Sequence, residues 1–200
     1  TGAKTPFLRS VTRKNGIAIL ESGLVAISET DNHRIVFFAQ SGEEINQAGS
    51  GTAGFRDGPM ADAQFNQPHH LARAPDGSLV VADRGNHRLR VIRTDSVVTT
   101  LYGVDPKKWE GPECLTCNPI ILPGWLDSSS EFAEAREPVG VAVSRDGKAY
   151  TTELYYHLVR EVTGGGLTGG SGTGGAGTNL LVLPPAITPD SGYYPLGQDI

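Results

Sequence analysis

The sequence predicts an all-β protein built from repeated sheets of four short antiparallel strands. Its 200 residues include 26 glycines and 13 prolines, which favour turns over long helices. The tetrapeptide Asn-His-Arg-Leu at 86–89 repeats Asn-His-Arg-Ile at 32–35, and each copy lies between short runs of aliphatic residues. A tripeptide that recurs with its flanks indicates a duplicated structural unit, so we expect a modular fold.

The duplicated unit extends beyond this tripeptide. At a shift of 54 positions, the matched residues are Asn32, His33 and Arg34 with Asn86, His87 and Arg88. A third, degraded copy follows at a further shift of 70 positions and keeps Pro138 for Pro68, Glu153 for Asp83 and His157 for His87. Matched turns in three copies predict three structural repeats.

Each repeat reads as four strands, which in the second copy lie at about 69–74, 79–82, 88–93 and 97–102. We expect Asn-His-Arg to open the third strand. Asp76-Gly77 and Gly85-Asn86 are expected to supply the left-handed backbone of tight turns. Apolar residues on both faces of the strands predict sheets packed on both sides, as in the blades of a β-propeller.

We therefore expect propeller blades at about 1–54, 55–104 and 133–163, with an inserted loop at 105–132. Three blades are too few to close a ring, since propellers use about four to eight. We expect the remaining blades to lie outside this sequence or on another chain, so self-assembly is one way to complete the ring.

The stretch "GSGTAGFRDGPMADAQFNQPHHLARAPDGSLVVADRGNHRLRVI" resembles an NHL repeat, and the resemblance covers residues 1 to about 175. The equivalent repeat positions are best explained by a structural role for Asn32, His33, Arg34, Asn86, His87 and Arg88. The imidazole and the adjoining arginine are expected to bond across the turn or to the next blade.

The resemblance also raises one enzymatic alternative. The peptidyl-amidating lyase is an NHL-type propeller whose catalytic zinc is held on the central axis by histidines. The matching position holds His69 in the second repeat, Asn15 in the first and Val139 in the third. Because zinc catalysis needs about three protein ligands, we expect no metal and no other cofactor, and we treat the lyase as the alternative.

The end of the chain changes in character. The glycine-rich stretch at 164–178 reads as a linker. Residues 179–200 contain "PPAITPDSGYYP", which resembles the first strand and turn of the immunoglobulin-like module at the C-terminus of chitobiase-type proteins. This resemblance implies that a β-sandwich domain begins here and that the protein is extracellular.

Two cysteines, Cys114 and Cys117, stand in the inserted loop between Pro112 and Pro119. Three interpretations remain open: a redox motif, a local disulfide, or thiols that pair elsewhere. We favour the disulfide, which indicates an oxidising compartment. The same loop carries both tryptophans, Trp109 and Trp125. They are candidates for partner binding, or else they pack the loop onto the blade.

Charge and hydropathy exclude other classes of function. The net charge of −5 comes without a clustered basic face, which argues against nucleic-acid binding. No apolar run reaches the roughly 18 residues that span a bilayer. We predict a non-enzymatic, secreted or cell-surface module that binds a protein or glycan partner or builds a surface, matrix or filament assembly.

Overall fold

The computed structural model describes residues 7, 12–103, 135–155 and 157–168. These residues form antiparallel sheets in which strands that follow one another in sequence pair with one another. Blade 1 consists of β1 (Lys14–Ile19), β2 (Val25–Glu29), β3 (Arg34–Phe38) and β4 (Glu44–Ala48). The four-stranded antiparallel sheet predicted for each repeat is confirmed here.

Blades 2 and 3 follow the same plan. Blade 2 has the two-residue strand β5 (Gly58–Pro59), then β6 (Pro68–Arg73), β7 (Leu79–Asp83), β8 (Arg88–Ile92) and β9 (Val97–Tyr102). Strand β5 pairs with the outer edge of β9. The described part of blade 3 has β10 (Pro138–Val143), β11 (Ala149–Glu153) and β12 (Leu158–Val162). The first strands β1, β6 and β10 lie side by side.

The turn before the third strand differs from the prediction. Gly77 has the expected positive φ of 87°, but the residue with a left-handed backbone in the next turn is His87, at φ 56°. Residues 84–86 form one turn of 3₁₀ helix, and the third strand begins at Arg88, so the tripeptide spans turn and strand. Histidine is one of the few non-glycine residues that adopt this conformation readily.

Adjacent blades bury apolar faces against each other. At the first junction, between blades 1 and 2, Ile35 and Phe37 pack with Leu71 and Val81. At the second junction, between blades 2 and 3, the buried apolar residues are Val80, Leu89, Val91, Val141, Val162 and Leu167. Leu167, which falls in the predicted linker, is only 1% exposed and belongs to this core.

The two outward faces of the described blades differ from the junctions. Val159 of blade 3 is 63% exposed, whereas Ile35 and Leu89, at the same repeat position, are fully buried. Ile17 of blade 1 is 61% exposed, whereas its counterpart Leu71 is 2% exposed. Burial at these positions therefore comes from the neighbouring blade.

Several predictions fall outside the described residues. They concern Cys114, Cys117, Trp109, Trp125, the inserted loop 105–132 and the immunoglobulin-like segment 179–200. Among the described residues, no helix is long and apolar enough to cross a membrane.

Candidate functional site

The asparagine of the repeated tripeptide ties its turn to the acidic residue that ends the second strand. In blade 1, Asn32 Nδ2 donates to Glu29 Oε2 at 3.0 Å. In blade 2, Asn86 Nδ2 donates to Asp83 Oδ2 at 2.8 Å. The repeated Asn therefore holds a 3₁₀ turn closed within its own blade.

The arginine of the tripeptide acts differently in the two blades. Arg34 Nε donates to Glu29 Oε2 at 2.9 Å. Burial raises the pKa of Glu29, but hydrogen bonds from Asn32, Lys14 and Arg34 outweigh it and hold this pKa at about 2. The guanidinium of Arg88 instead lies 3.8 Å from the ring centroid of Phe55, a cation–π contact.

The histidine of the tripeptide reaches the next blade. Nδ1 of His33 accepts the backbone N–H of Gln67 at 3.1 Å. Nδ1 of His87 accepts the backbone N–H of Glu137 at the same distance. We call this bond the histidine latch. Gln67 and Glu137 also have left-handed backbones, with φ of 51° and 49°, and each precedes the proline that begins a first strand.

Two further histidines lie on β6, next to β10. Nδ1 of His69 lies 2.9 Å from the carbonyl oxygen of Val139, and Nδ1 of His70 lies 2.9 Å from that of Val141. Burial and the nearby charges of Arg84, His70 and Arg13 lower the pKa of His69, although its bond to Val139 raises it. His69 is therefore neutral near pH 7, and its Nε2 carries the lone pair.

This geometry does not fit a zinc centre built from the described residues. The positions equivalent to His69 hold Asn15 and Val139, and Val139 has no ligating side chain. The described residues contain no cluster of three His, Cys, Asp or Glu side chains able to hold a metal. A catalytic zinc needs about three such ligands.

A groove of about 490 Å³ opens between blades 1 and 2, at the end of the blades where the β1–β2 and β6–β7 turns lie. Its apolar wall consists of Leu20, Leu24, Phe37, Met60, Leu79 and Ile92. Glu21, Asp76 and Arg93 also line it, and Ile45 on the outer strand of blade 1 is 51% exposed. Sequence reasoning did not find this groove, because both blades contribute to it.

Sequence reasoning also missed a buried ion pair within blade 2. The side chain of Arg90 is fully buried, and its NH1 donates to Asp83 Oδ2 at 2.9 Å. Asp83 also accepts from Asn86 and from the backbone N–H of Asn66. The sequence does contain a pattern that could have predicted this pair. In the third repeat, Glu153 and Arg160 also pair and are separated by the same number of residues as Asp83 and Arg90.

The comparison with known families supports the predicted repeat. Residues 65–92 match the NHL repeat. This match runs from Phe65, buried at the first junction, through the Asn-His-Arg tripeptide to the end of β8. Blade 2 thus contains an NHL repeat, as its sequence predicts. The immunoglobulin-like module has no counterpart in this match.

Three curated relatives align with parts of the chain. Protein SUPPRESSOR OF QUENCHING 1, chloroplastic, of Arabidopsis thaliana is 34% identical over 98 residues, 46% of this chain and 9% of that protein. Teneurin-3 of Mus musculus is 35% identical over 91 residues, 38% of this chain and 3% of that protein. The chain therefore spans a tenth or less of these relatives.

The third relative corrects a prediction. Peptidyl-glycine alpha-amidating monooxygenase of Mus musculus is 42% identical over 66 residues, 32% of this chain and 6% of that protein. We predicted a non-enzymatic protein, and that prediction is wrong, because this relative is an enzyme. Repeats of this type belong to enzymes as well as to other proteins, so their presence does not exclude catalysis.

Solved structures agree with the fold. A crystal structure of an auxiliary nutrient binding protein from Bacteroides thetaiotaomicron superposes with a TM-score of 0.58 at 18% identity. The superposition covers 78% of this chain and 38% of that one. At this level of identity, the likeness concerns the fold, which is of the β-propeller type.

Proposed function

We propose that this chain is the interaction module of an NHL-type propeller and that the groove between blades 1 and 2 receives an apolar side chain of a protein partner. The observation that carries this proposal is the groove itself. Its volume of about 490 Å³ lies within the range of roughly 300–1,000 Å³ typical of ligand sites. Two rigid blades form its walls, so binding costs little ordering of the protein.

The chemistry of the groove favours a protein partner over a glycan. Its wall is made of aliphatic, methionine and aromatic side chains, including Leu20, Phe37 and Met60. When an apolar side chain of a partner packs against this wall, apolar surface is removed from water, which makes the free energy of binding more favourable. The charged residues Glu21, Asp76 and Arg93 lie in the same lining and orient polar groups of the partner.

Met60 gives a direct test, because it is the only methionine of the chain. We expect N-acetyl-leucine amide, used as a probe, to shift the ¹³C-methyl NMR signal of Met60 saturably. The variant Ile45→Lys places a charge at an exposed position of the groove and is expected to abolish the shift. Ile45 is 51% exposed, so the fold tolerates the change.

The matched control is Ile19→Lys. Ile19 is 66% exposed and lies on the same blade, but it does not line the groove. We expect this variant to keep the saturable shift. An unchanged Met60 signal in the wild type, or equal loss in both variants, contradicts the proposal.

The cellular location of the module and its neighbouring domains are also proposals. We propose an extracellular or cell-surface location, which a disulfide between Cys114 and Cys117 would support, and Trp109 and Trp125 are candidates for further partner contacts. A self-assembled ring and a tandem immunoglobulin-like domain belong to the same proposal. Mass spectrometry of the unreduced protein tests the location, since free thiols at both cysteines contradict it.

A second candidate function is catalysis, which the match to the amidating monooxygenase favours. His69 would contribute one ligand, since its neutral imidazole carries a lone pair on Nε2. The other metal ligands must come from residues beyond those described. Elemental analysis of natively purified protein tests this. Stoichiometric zinc that His69→Ala removes supports it, and zinc-free protein argues against it.

A further inference from the structure

Three histidines of blade 2 meet one edge of blade 3, at alternate residues. His87 bonds the N–H of Glu137, and His69 and His70 bond the carbonyls of Val139 and Val141. These contacts cover the start of β10, the first strand of blade 3. The second junction is therefore held, in part, by histidine side chains.

The three histidines do not respond alike to protonation. Nδ1 of His69 faces a carbonyl, so it must donate, and it can do so with a neutral or a charged ring. Nδ1 of His70 lies near both the carbonyl and the N–H of Val141, and it too can donate in either state. Nδ1 of His87 faces an N–H and must accept. Only this bond needs an unprotonated nitrogen.

The surroundings of His87 oppose a positive charge. Among the described residues whose charges act on His87, Glu137 is acidic, and Arg136, Arg88 and Arg84 are basic. The carboxylate of Glu137 already accepts from Arg84 NH2, at 2.8 Å. A protonated His87 would therefore meet three guanidinium groups and turn a new N–H towards the N–H of Glu137. Both effects push the ring away from β10.

We propose that the histidine latch formed by His87 makes the second junction sensitive to pH. Protonation of Nδ1 opens this latch. Opening frees the N–H of Glu137 and loosens the start of β10 from blade 2. The bond is a feature of the repeat, since His33 makes it to Gln67 at the same distance of 3.1 Å. The histidine latch thus depends on His87, a residue that the fold holds in a left-handed conformation.

The pH range follows from the direction of the pKa change. Burial and the charges of Arg136, Arg88 and Arg84 lower the pKa of His87 below its ordinary 6.5, against the opposing charge of Glu137. The unfolded chain therefore takes up the proton first as pH falls. The contribution of His87 to stability is complete above about pH 6.5 and declines as the pH falls through that value towards the folded pKa.

The histidine latch can be tested by amide hydrogen exchange of the 200-residue chain, followed by NMR at pH 7.5 and 5.5. We expect the protection factor of Glu137 to fall roughly threefold to tenfold at the lower pH, as for the loss of one hydrogen bond. His87→Asn keeps an acceptor oxygen at all pH values and tolerates the left-handed backbone. It is expected to keep the protection of Glu137 constant.

The matched control is His33→Asn, the same change at the first junction, which should leave the response of Glu137 intact. Equal protection of Glu137 at both pH values in the wild type overturns the proposal, and so does an undiminished loss in His87→Asn. If His87→Asn does not fold, a titration of the wild type still tests the proposal. The amide shift of Glu137 must titrate with the same midpoint as the His87 ring, and a different midpoint overturns the proposed histidine latch.

Discussion

The two junctions between blades bury similar apolar cores but are joined by different polar chemistry. At the first junction, hydroxyl groups of blade 1 bond the backbone of blade 2. Ser28 Oγ donates to the carbonyl oxygen of His69. Thr30 Oγ1 donates to the carbonyl oxygen of Pro68 at 2.8 Å. At the second junction, the histidines of β6 take this place. Hydroxyl bonds do not change between pH 5 and 8, whereas the bond that His87 accepts there needs an unprotonated nitrogen.

One repeat position shows why the chemistry differs. It holds Gly16 in blade 1 and His70 in blade 2. A Cβ at Gly16 would lie 2.3 Å from the carbonyl oxygen of His69, so only glycine lets β1 and β6 approach this closely. In blade 2 the imidazole of His70 reaches across to β10 instead. The same fold can therefore join blades by close backbone approach or by long side chains.

The largest effect is expected from breaking the buried ion pair of blade 2 with Asp83→Ala, because blade 2 takes part in both junctions. Asp83 is fully buried and accepts from Arg90, Asn86 and the N–H of Asn66, the last at 2.8 Å. Its removal leaves a buried guanidinium short of charge compensation and should cost about 3–5 kcal/mol in urea unfolding.

The control for Asp83→Ala is Asp31→Ala. The Asp31 side chain is 51% exposed and lies 3.8 Å from Arg13. Its loss should cost less than about 1 kcal/mol. Equal losses in the two variants would mean that the buried pair stabilises the fold no more than an exposed pair does.

A smaller effect tests whether the two apolar cores are equivalent. Ile35 and Leu89 are both fully buried, at the same repeat position of blades 1 and 2. Ile35→Ala and Leu89→Ala should each cost about 2–5 kcal/mol. Val159→Ala, at this position in blade 3 but 63% exposed, should cost less than about 1 kcal/mol. A large loss for Val159→Ala would mean that another segment covers this face.

The smallest effect sharpens the contrast in pH dependence. Thr30→Val keeps the shape of the side chain but removes its bonds to Pro68 and Asn15, each 2.8 Å long. Unpaired polar groups should lower the free energy of unfolding by about 1–3 kcal/mol. Because no titrating group is lost, we expect the same decrease at pH 7.5 and 5.5. A decrease seen at only one pH would contradict the pH-independence of these hydroxyl bonds.

Much of the fold could be predicted, because strand periodicity and turn residues act locally. The strands of blade 2 and the left-handed Gly77 follow from the sequence pattern. The left-handed His87 did not, since Gly85 and Asn86 beside it are stronger turn residues. The partners of His69 and His70 are backbone carbonyls of valines, and no sequence pattern marks those atoms.

The most direct measurement is the tautomeric state of His87 and His69 at pH 7.5, read from long-range ¹H–¹⁵N NMR correlations. We predict that His87 carries its proton on Nε2, because Nδ1 accepts from Glu137. We predict that His69 carries its proton on Nδ1, because it donates to Val139. A proton on Nδ1 of His87 would remove the acceptor and contradict the proposed histidine latch.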